Sequence, residues 1–311
     1  MDRIAILLST FNGEKYIKEQ LDSLLFQTYN NFIVYIRDDG SEDNTIEILE
    51  EYKNKYSEKF KLINENKHLG IRQSFEKLMM LASNEKYFAL CDQDDYWEPN
   101  KLEVFYYEMQ LIETNNKDNF SILLISDMAI VDKYQKIIKA SFLKYFNLTI
   151  KDINNGLFRG LISGCLMFFN QAVIKEYFRN NRYMLHDHNV FITTFLHGEI
   201  HLINVVLLKY RIHENNYYGL SKKNPLYISL LDLIKYFFNN TEYRKIVLYS
   251  YLKYTATFIR NENKQLCNRK ELYNEDEINN LSYFKRKKWY LNHFKPFGED
   301  KIQGLIKLIL I

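Results

Sequence analysis

Three features of this sequence predict an α/β fold, a sheet of largely parallel strands with helices on its faces. Short apolar runs alternate with amphipathic helical periods through the first hundred residues. Polar or acidic clusters around Thr10, Asp39 and Asp92 each follow directly on one of those runs. The chain of 311 residues is 47% hydrophobic and 16% aromatic, which suits a packed core of one large domain with an appendage, or of two domains.

The elements follow in order. Ile4-Ala5-Ile6-Leu7-Leu8 is the first strand, and from Glu14 the apolar positions Ile17, Leu21, Leu24 and Leu25 line one face of a helix. Residues 32–36 form the second strand and run into the turn-rich loop Arg37-Asp38-Asp39-Gly40-Ser41. A helix bearing Ile46, Ile48, Leu49 and Tyr52 comes next, with Asp43 or Asn44 as its cap. Residues 60–63 are the third strand, and Ile71, Phe75, Leu78, Met79 and Ala82 make a third helical face. Strand four, 87–91, is followed by acids and then by Pro99, which opens a helix carrying Leu102, Phe105, Met109 and Ile112. A strand over 122–125 ends in Ser126-Asp127, residues 140–158 read as loop with a turn at Asn154-Asn155-Gly156, and 202–208 is a late strand.

Chemistry concentrates after strand four. In Cys91-Asp92-Gln93-Asp94-Asp95 an apolar run stops on three carboxylates within four positions. Such acids repel one another, and a divalent cation is the usual reason for grouping them, since hard oxygen ligands suit magnesium or manganese. In sheets of this kind ligands bind beyond the carboxyl ends of the strands, which is where Thr10, Asp39 and the acid cluster all fall. Thr10 would meet a ligand through its hydroxyl or backbone, or serve as a plain turn residue. Arg211 offers charge to a phosphate. Asp187 follows His186 at the start of the helical pattern Val190, Phe191, Thr194, Phe195, as a general base or as a helix cap.

Several of these stretches together resemble the family 2 glycosyltransferases. They are Ser9-Thr10-Phe11-Asn12-Gly13-Glu14-Lys15-Tyr16-Ile17, Gln20-Leu21-Asp22-Ser23-Leu24-Leu25, Asp38-Asp39-Gly40-Ser41 with Asp43, and the acid cluster. Later pieces match too: Ser163-Gly164-Cys165, His186-Asp187, and Tyr210-Arg211-Ile212-His213. The resemblance covers roughly residues 3 to 216 and is strongest to bacterial rhamnosyltransferase-like enzymes of surface polysaccharide synthesis. It implies the GT-A fold, a Rossmann-like mixed sheet flanked by helices, and inverting sugar transfer from a UDP- or dTDP-sugar. It further implies Asp94 as ligand of Mn2+ or Mg2+, Asp92 near the ribose or a metal-bound water, and Asp39 as acceptor from N3 of uracil or thymine. Asp187 becomes the base, and His213 completes the metal or pyrophosphate site. Where rhamnosyl-like members read His-Asp followed by tryptophans, this chain has His188 and Asn189.

Composition excludes other classes. A net charge of +3 is too small to mark a nucleic-acid binder, and three cysteines without framework spacing favour a reducing compartment. No signal peptide is visible, and no apolar stretch approaches the roughly 18 residues of a membrane span, so a cytoplasmic chain is expected. The expected division is a catalytic domain over 1–220 and a helical extension over 221–311. That extension carries Phe284-Lys285-Arg286-Lys287-Lys288-Trp289-Tyr290 and an apolar end, which suits a helix lying on the inner face of the membrane, near a lipid-linked glycan acceptor. Two rival readings are a nucleotidyltransferase and a non-catalytic nucleotide-sugar-binding protein. The first calls for a glycine- and basic-rich loop after strand one, where only Gly13 and Lys15 stand. The second calls for broken acids, yet Asp39, Asp92, Asp94 and Asp187 are present.

Overall fold

A computed structural model describes residues 2–63, 67–115, 120–146, 149–150, 163–179 and 185–213. The expected extension over 221–311 and the turn at Asn154-Asn155-Gly156 lie outside these residues. Strands β1 (Ile4–Thr10), β2 (Phe32–Asp38), β3 (Phe60–Ile63) and β4 (Tyr87–Cys91) alternate with helices α1 (Ile17–Leu25), α2 (Thr45–Lys55) and α3 (Ile71–Leu81). They pair in parallel in the order β3-β2-β1-β4. The central strands are near-continuous apolar runs because helices cover both faces. α3 turns Phe75, Leu78 and Met79 to the core, the face its spacing predicts.

The second half makes the sheet mixed rather than parallel throughout. A two-residue strand, β5 (Tyr96–Trp97), follows the acids, and α4 (Lys101–Asn115) begins two residues after Pro99. β6 (Ser121–Val131) runs well past the expected end at Ser126-Asp127. Asp127 is tolerated inside it because its carboxylate accepts the N–H groups of Met128 and Leu143. β7 (Ile137–Lys139) folds back on β6, and α5 (Phe142–Phe146) is helix where loop was expected. A 3-10 turn (Gly164–Leu166) leads into β8 (Met167–Asn170), followed by α6 (Gln171–Arg179), α7 (His186–His197) and β9 (Gly198–Arg211).

Strand direction decides what reaches the carboxyl rim of the sheet. β8 lies antiparallel between β4 and β6, so the chain entering it, Ser163 to Leu166, sits beside the end of β4. β9 runs parallel to β6, so its exit delivers Arg211 and His213 to the same rim. α7 leads back to the start of β9, which leaves the N-terminus of α7, with His186 and Asp187, at the rim as well. β5 pairs antiparallel with β9 through Tyr96–Lys209 and Trp97–Leu208 and pins the acid loop there.

Candidate active site

The register β1–β2 sets Thr10 opposite Asp38, and β1–β4 sets Leu8 opposite Cys91. The three polar clusters seen in the sequence are therefore neighbours. Asp38 builds the first corner: its carboxylate accepts the Thr10 hydroxyl at 2.8 Å, the Ser41 hydroxyl, and the N–H groups of Gly40 and Ser41. Thr10 also accepts Asp39 N–H at its carbonyl, so both its polar groups tie β1 to β2.

Asp39 is a buried anchor. Oδ1 accepts from Arg37, a fully buried guanidinium 2.6 Å away, and from Leu69 N–H; Oδ2 accepts from Gly70 N–H at 2.8 Å. A carboxylate has about four acceptor positions, so one remains on Oδ2; His68 Nδ1, hydrogen-bonded to the Asp39 backbone carbonyl at 2.9 Å, stands 3.2 Å from it. Burial pushes this carboxyl up, but the Leu69 N–H, Arg37 and the Gly70 N–H outweigh it and hold it below the usual range. Beside it the ring of Phe11, on the rim, lies 5.2 Å from that of His68.

The acid loop is clamped from two sides. The Gln93 side-chain amide pairs with both backbone groups of Phe11, donating to its carbonyl and accepting its N–H. A β-carbon at Gly13 would lie 2.4 Å from Gln93 Oε1, so the glycine lets the two loops touch. On the other side Arg211, also buried, donates to the Asp94 carbonyl, the Lys133 carbonyl and Glu19, and stacks over Tyr16 at 4.6 Å. The guanidinium proposed from sequence as a phosphate ligand is thus engaged within the protein, beneath the loop.

Asp94, half-buried, meets His213, with Oδ2 2.8 Å from Nε2. Two neighbouring ligands of an octahedral magnesium ion with ~2.1 Å bonds sit about 3 Å apart, so this spacing and the oxygen–imidazole donor pair fit a divalent cation. Asp92 lies deeper. Its carboxyl is raised first by burial, then by Asp94 and Asp187, and Ser163 Oγ is 3.4 Å from it. Asp187 stands in the first turn of α7 and accepts His188 N–H rather than capping the helix, whose cap position is Leu185. A β-carbon at Gly164 would come within 3.2 Å of Asp187 Cβ, so this glycine allows the turn before β8 to approach the acid.

The fold adds four features to the site, of which Asp95 and His186 stand out in the sequence and Lys101 and Glu19 do not. Lys101, wholly buried, donates to the Cys165 carbonyl at 2.6 Å, lies 3.9 Å over Trp97, and is lowered to about 8 by burial. It supplies positive charge beneath Asp92, Asp95 and Cys165, whose ligand atoms lie within 4.8 Å of one another. Its ammonium and the soft thiol make that group a charge-balanced interior rather than a second cation site. Asp95 accepts Arg211 N–H, and its Oδ2 has no hydrogen-bond partner among the described residues. Its carboxyl is driven well up by burial, then by Asp94 and Asp92. His186, buried, stacks on Phe75 at 3.7 Å with neither ring nitrogen partnered among the described residues, and burial lowers it to about 4. Glu19, in the first turn of α1, is the carboxylate that pairs with Arg211.

Known proteins resemble this chain in sequence and in fold. The glycosyl transferase family 2 model matches residues 5–178. An uncharacterized glycosyltransferase of Rickettsia conorii is 27% identical over 94% of this chain, which spans 49% of that relative's length. A second, from Methanocaldococcus jannaschii, is 28% identical over 82% of the chain and 90% of its own. The dTDP-rhamnosyl transferase RfbG of Shigella flexneri is 27% identical over 77% of the chain and 82% of its own. Among solved structures, S. aureus TarS 1-349 in complex with UDP superposes with a TM-score of 0.56 at 15% identity, covering 97% of this chain and 83% of that one. The fold is accordingly of the GT-A type, a mixed sheet with flanking helices. With the family model spanning more than half of its length, the chain belongs to glycosyl transferase family 2.

Proposed function

We propose that this chain transfers a sugar, with inversion at the anomeric carbon, from a nucleoside diphosphate donor to an acceptor hydroxyl. The observation that carries the proposal is the gathering of four groups on one rim: Asp94 against His213, with Asp92 beside Ser163 and Asp187 beside the adjoining Gly164. Asp94 and His213 would hold Mn2+ or Mg2+, which when bound offsets the charge of the diphosphate leaving group. Asp187 takes the proton of the acceptor hydroxyl as its oxygen forms the new bond to the anomeric carbon and the bond to the diphosphate breaks. Inversion by single displacement needs that base on the face opposite the leaving group, as it does in inverting hydrolases. Asp92 receives the ribose side of the donor, held in place by Ser163. Arg211 and Glu19 keep the acid loop in position rather than touching donor.

The nucleotide end lies along Thr10 and Asp39. With its other acceptor positions occupied, Asp39 Oδ2 takes a uracil or thymine N3–H where His68 now stands, so donor binding displaces His68, whose side chain is largely exposed. A dTDP-rhamnose donor is supported by the similarity to the Shigella flexneri dTDP-rhamnosyl transferase, and a UDP-sugar by the neighbours solved with UDP and UDP-GlcNAc. Manganese is supported by the likeness in fold to a Pyrobaculum calidifontis mannosyltransferase solved with GDP-Man and Mn2+, at a TM-score of 0.50. The acceptor would be a growing surface glycan or a lipid-linked one at the cytoplasmic face of the membrane, approached through the basic and aromatic stretch 284–290. Among the described residues no helix is long and apolar enough to cross a membrane.

Release of nucleoside diphosphate from a panel of nucleotide sugars, with manganese and with EDTA, tests the proposal. Turnover of a UDP- or dTDP-sugar that EDTA stops is expected. Hydrolysis of none of them, or turnover indifferent to EDTA, contradicts it.

A further inference from the structure

The segment 132–145 carries a surface that the transfer reaction does not use. Its turn is rigid: Asp132 Oδ1 accepts the N–H groups of both Tyr134 and Lys136, and Gln135 takes a left-handed φ of 63°. Beyond the turn, β7 is an outer strand attached only to β6 among the described residues. On this surface Tyr134 is 78% exposed, Ile137 57%, Tyr145 43% and Ile138 37%. Lysines at 133, 136, 139 and 144 are interleaved with them, against one acid, Asp132. Lys139 Nζ lies 4.1 Å over the Tyr145 ring and Lys133 Nζ 5.0 Å over that of Tyr134.

Lysines on an outer strand would by themselves only discourage edge-to-edge pairing. Exposed Tyr134, Ile137 and Ile138 beside them ask for an apolar partner, and the excess of lysines asks for an anionic one. An anionic bilayer surface supplies both: tyrosine rings sit at the headgroup level, short aliphatic side chains enter the acyl boundary, and lysine stems reach back to phosphate. Nucleic acid would satisfy the charge and leave Ile137 and Ile138 without a partner.

We propose that this hairpin is a docking surface for anionic phospholipid. Arg211 gives it a bearing on the site, because the same guanidinium binds the Lys133 carbonyl and the Asp94 carbonyl, while Gln135 donates to Glu19. A hairpin seated on the bilayer therefore holds the acid loop next to the membrane surface. The proposal is independent of the donor and of the basic stretch at 284–290.

The test is sedimentation of the full chain with phosphatidylcholine vesicles, with and without phosphatidylglycerol, at low and high salt. Each lysine near an anionic surface contributes about fivefold to partitioning, so Lys136→Gln/Lys139→Gln/Lys144→Gln should weaken binding about a hundredfold. Tyr134→Ser/Ile137→Ser, which leaves every lysine in place, should weaken it as well. Both variants should keep the thermal midpoint and donor hydrolysis of the parent. Binding that survives both and is lost in Lys285→Gln/Arg286→Gln/Lys287→Gln/Lys288→Gln assigns the membrane to the C-terminal stretch and overturns the proposal. So does a parent chain that ignores anionic vesicles at low salt, or one whose exposed face proves to be a dimer contact in sedimentation equilibrium.

Discussion

Replacing Asp39 by alanine separates two roles that a carboxylate at this position can have. It leaves the Arg37 guanidinium, which has no exposed surface, without its counter-charge 2.6 Å away, and frees the N–H groups of Leu69 and Gly70. Breaking a buried ion pair by removing one partner costs about 3–5 kcal/mol. At roughly 2–4 °C per kcal/mol for a domain of 150–250 residues, the thermal midpoint should fall by about 6–20 °C. Because the folded carboxyl is held below its usual range, its stabilising effect is complete above the unfolded pKa, near ~3.9, and disappears as pH falls through the lower folded value. Calorimetry from pH 7 down to pH 2 should therefore show the Asp39→Ala deficit shrinking only on the acid side. A variant that melts with the parent yet loses all affinity for UDP would refute this reasoning and make Asp39 a nucleotide ligand alone.

Three further outcomes follow from the same geometry. His186 is neutral in the fold and lowered to about 4, so the unfolded chain binds the extra proton between about pH 6.5 and 4 and stability falls with pH across that window. The fall is about 3 kcal/mol, and His186→Phe should remove it from the pH dependence of urea unfolding; an unchanged slope contradicts the burial argument. Lys101→Met leaves the acids beneath the rim without their internal cation and should cost about 3 kcal/mol in the same assay, whereas an equally stable variant would make Lys101 dispensable filler. Asp94→Asn should raise the manganese concentration for half-maximal donor turnover more than about 100-fold, beyond what loss of an outer-shell partner costs, and a parent-like titration would move the cation elsewhere.

The parallel half of the sheet was legible because each strand is a short apolar run that stops on a turn-forming or acidic cluster. The same signal misled at β6: Ser126-Asp127 looks like an end, but Leu143, sixteen positions on, satisfies the aspartate. β8 is four residues and β5 two, too short for periodicity, and both exist because of partners far along the chain. α6 shows its apolar face in Val173, Ile174 and Tyr177, a spacing present in the sequence but unread. Among site residues, the acids announced themselves by clustering. Lys101 did not, since a lysine in the first turn of a helix reads as solvated until Cys165 is known to lie against it. Arg211 was legible as a cation at the rim; only the fold reveals that Glu19 and two carbonyls already occupy it.

The central claim is that Asp187, across from the leaving group, removes the acceptor proton. Asp187→Asn keeps the first-turn contact to His188 N–H within reach while abolishing the base. Titration calorimetry with the donor and manganese, paired with single-turnover transfer to an acceptor, tests it most directly. The account predicts donor affinity within a fewfold of the parent and transfer slower by about 10² to 10⁴. Loss of donor binding with unaltered turnover of the donor that does bind would contradict it.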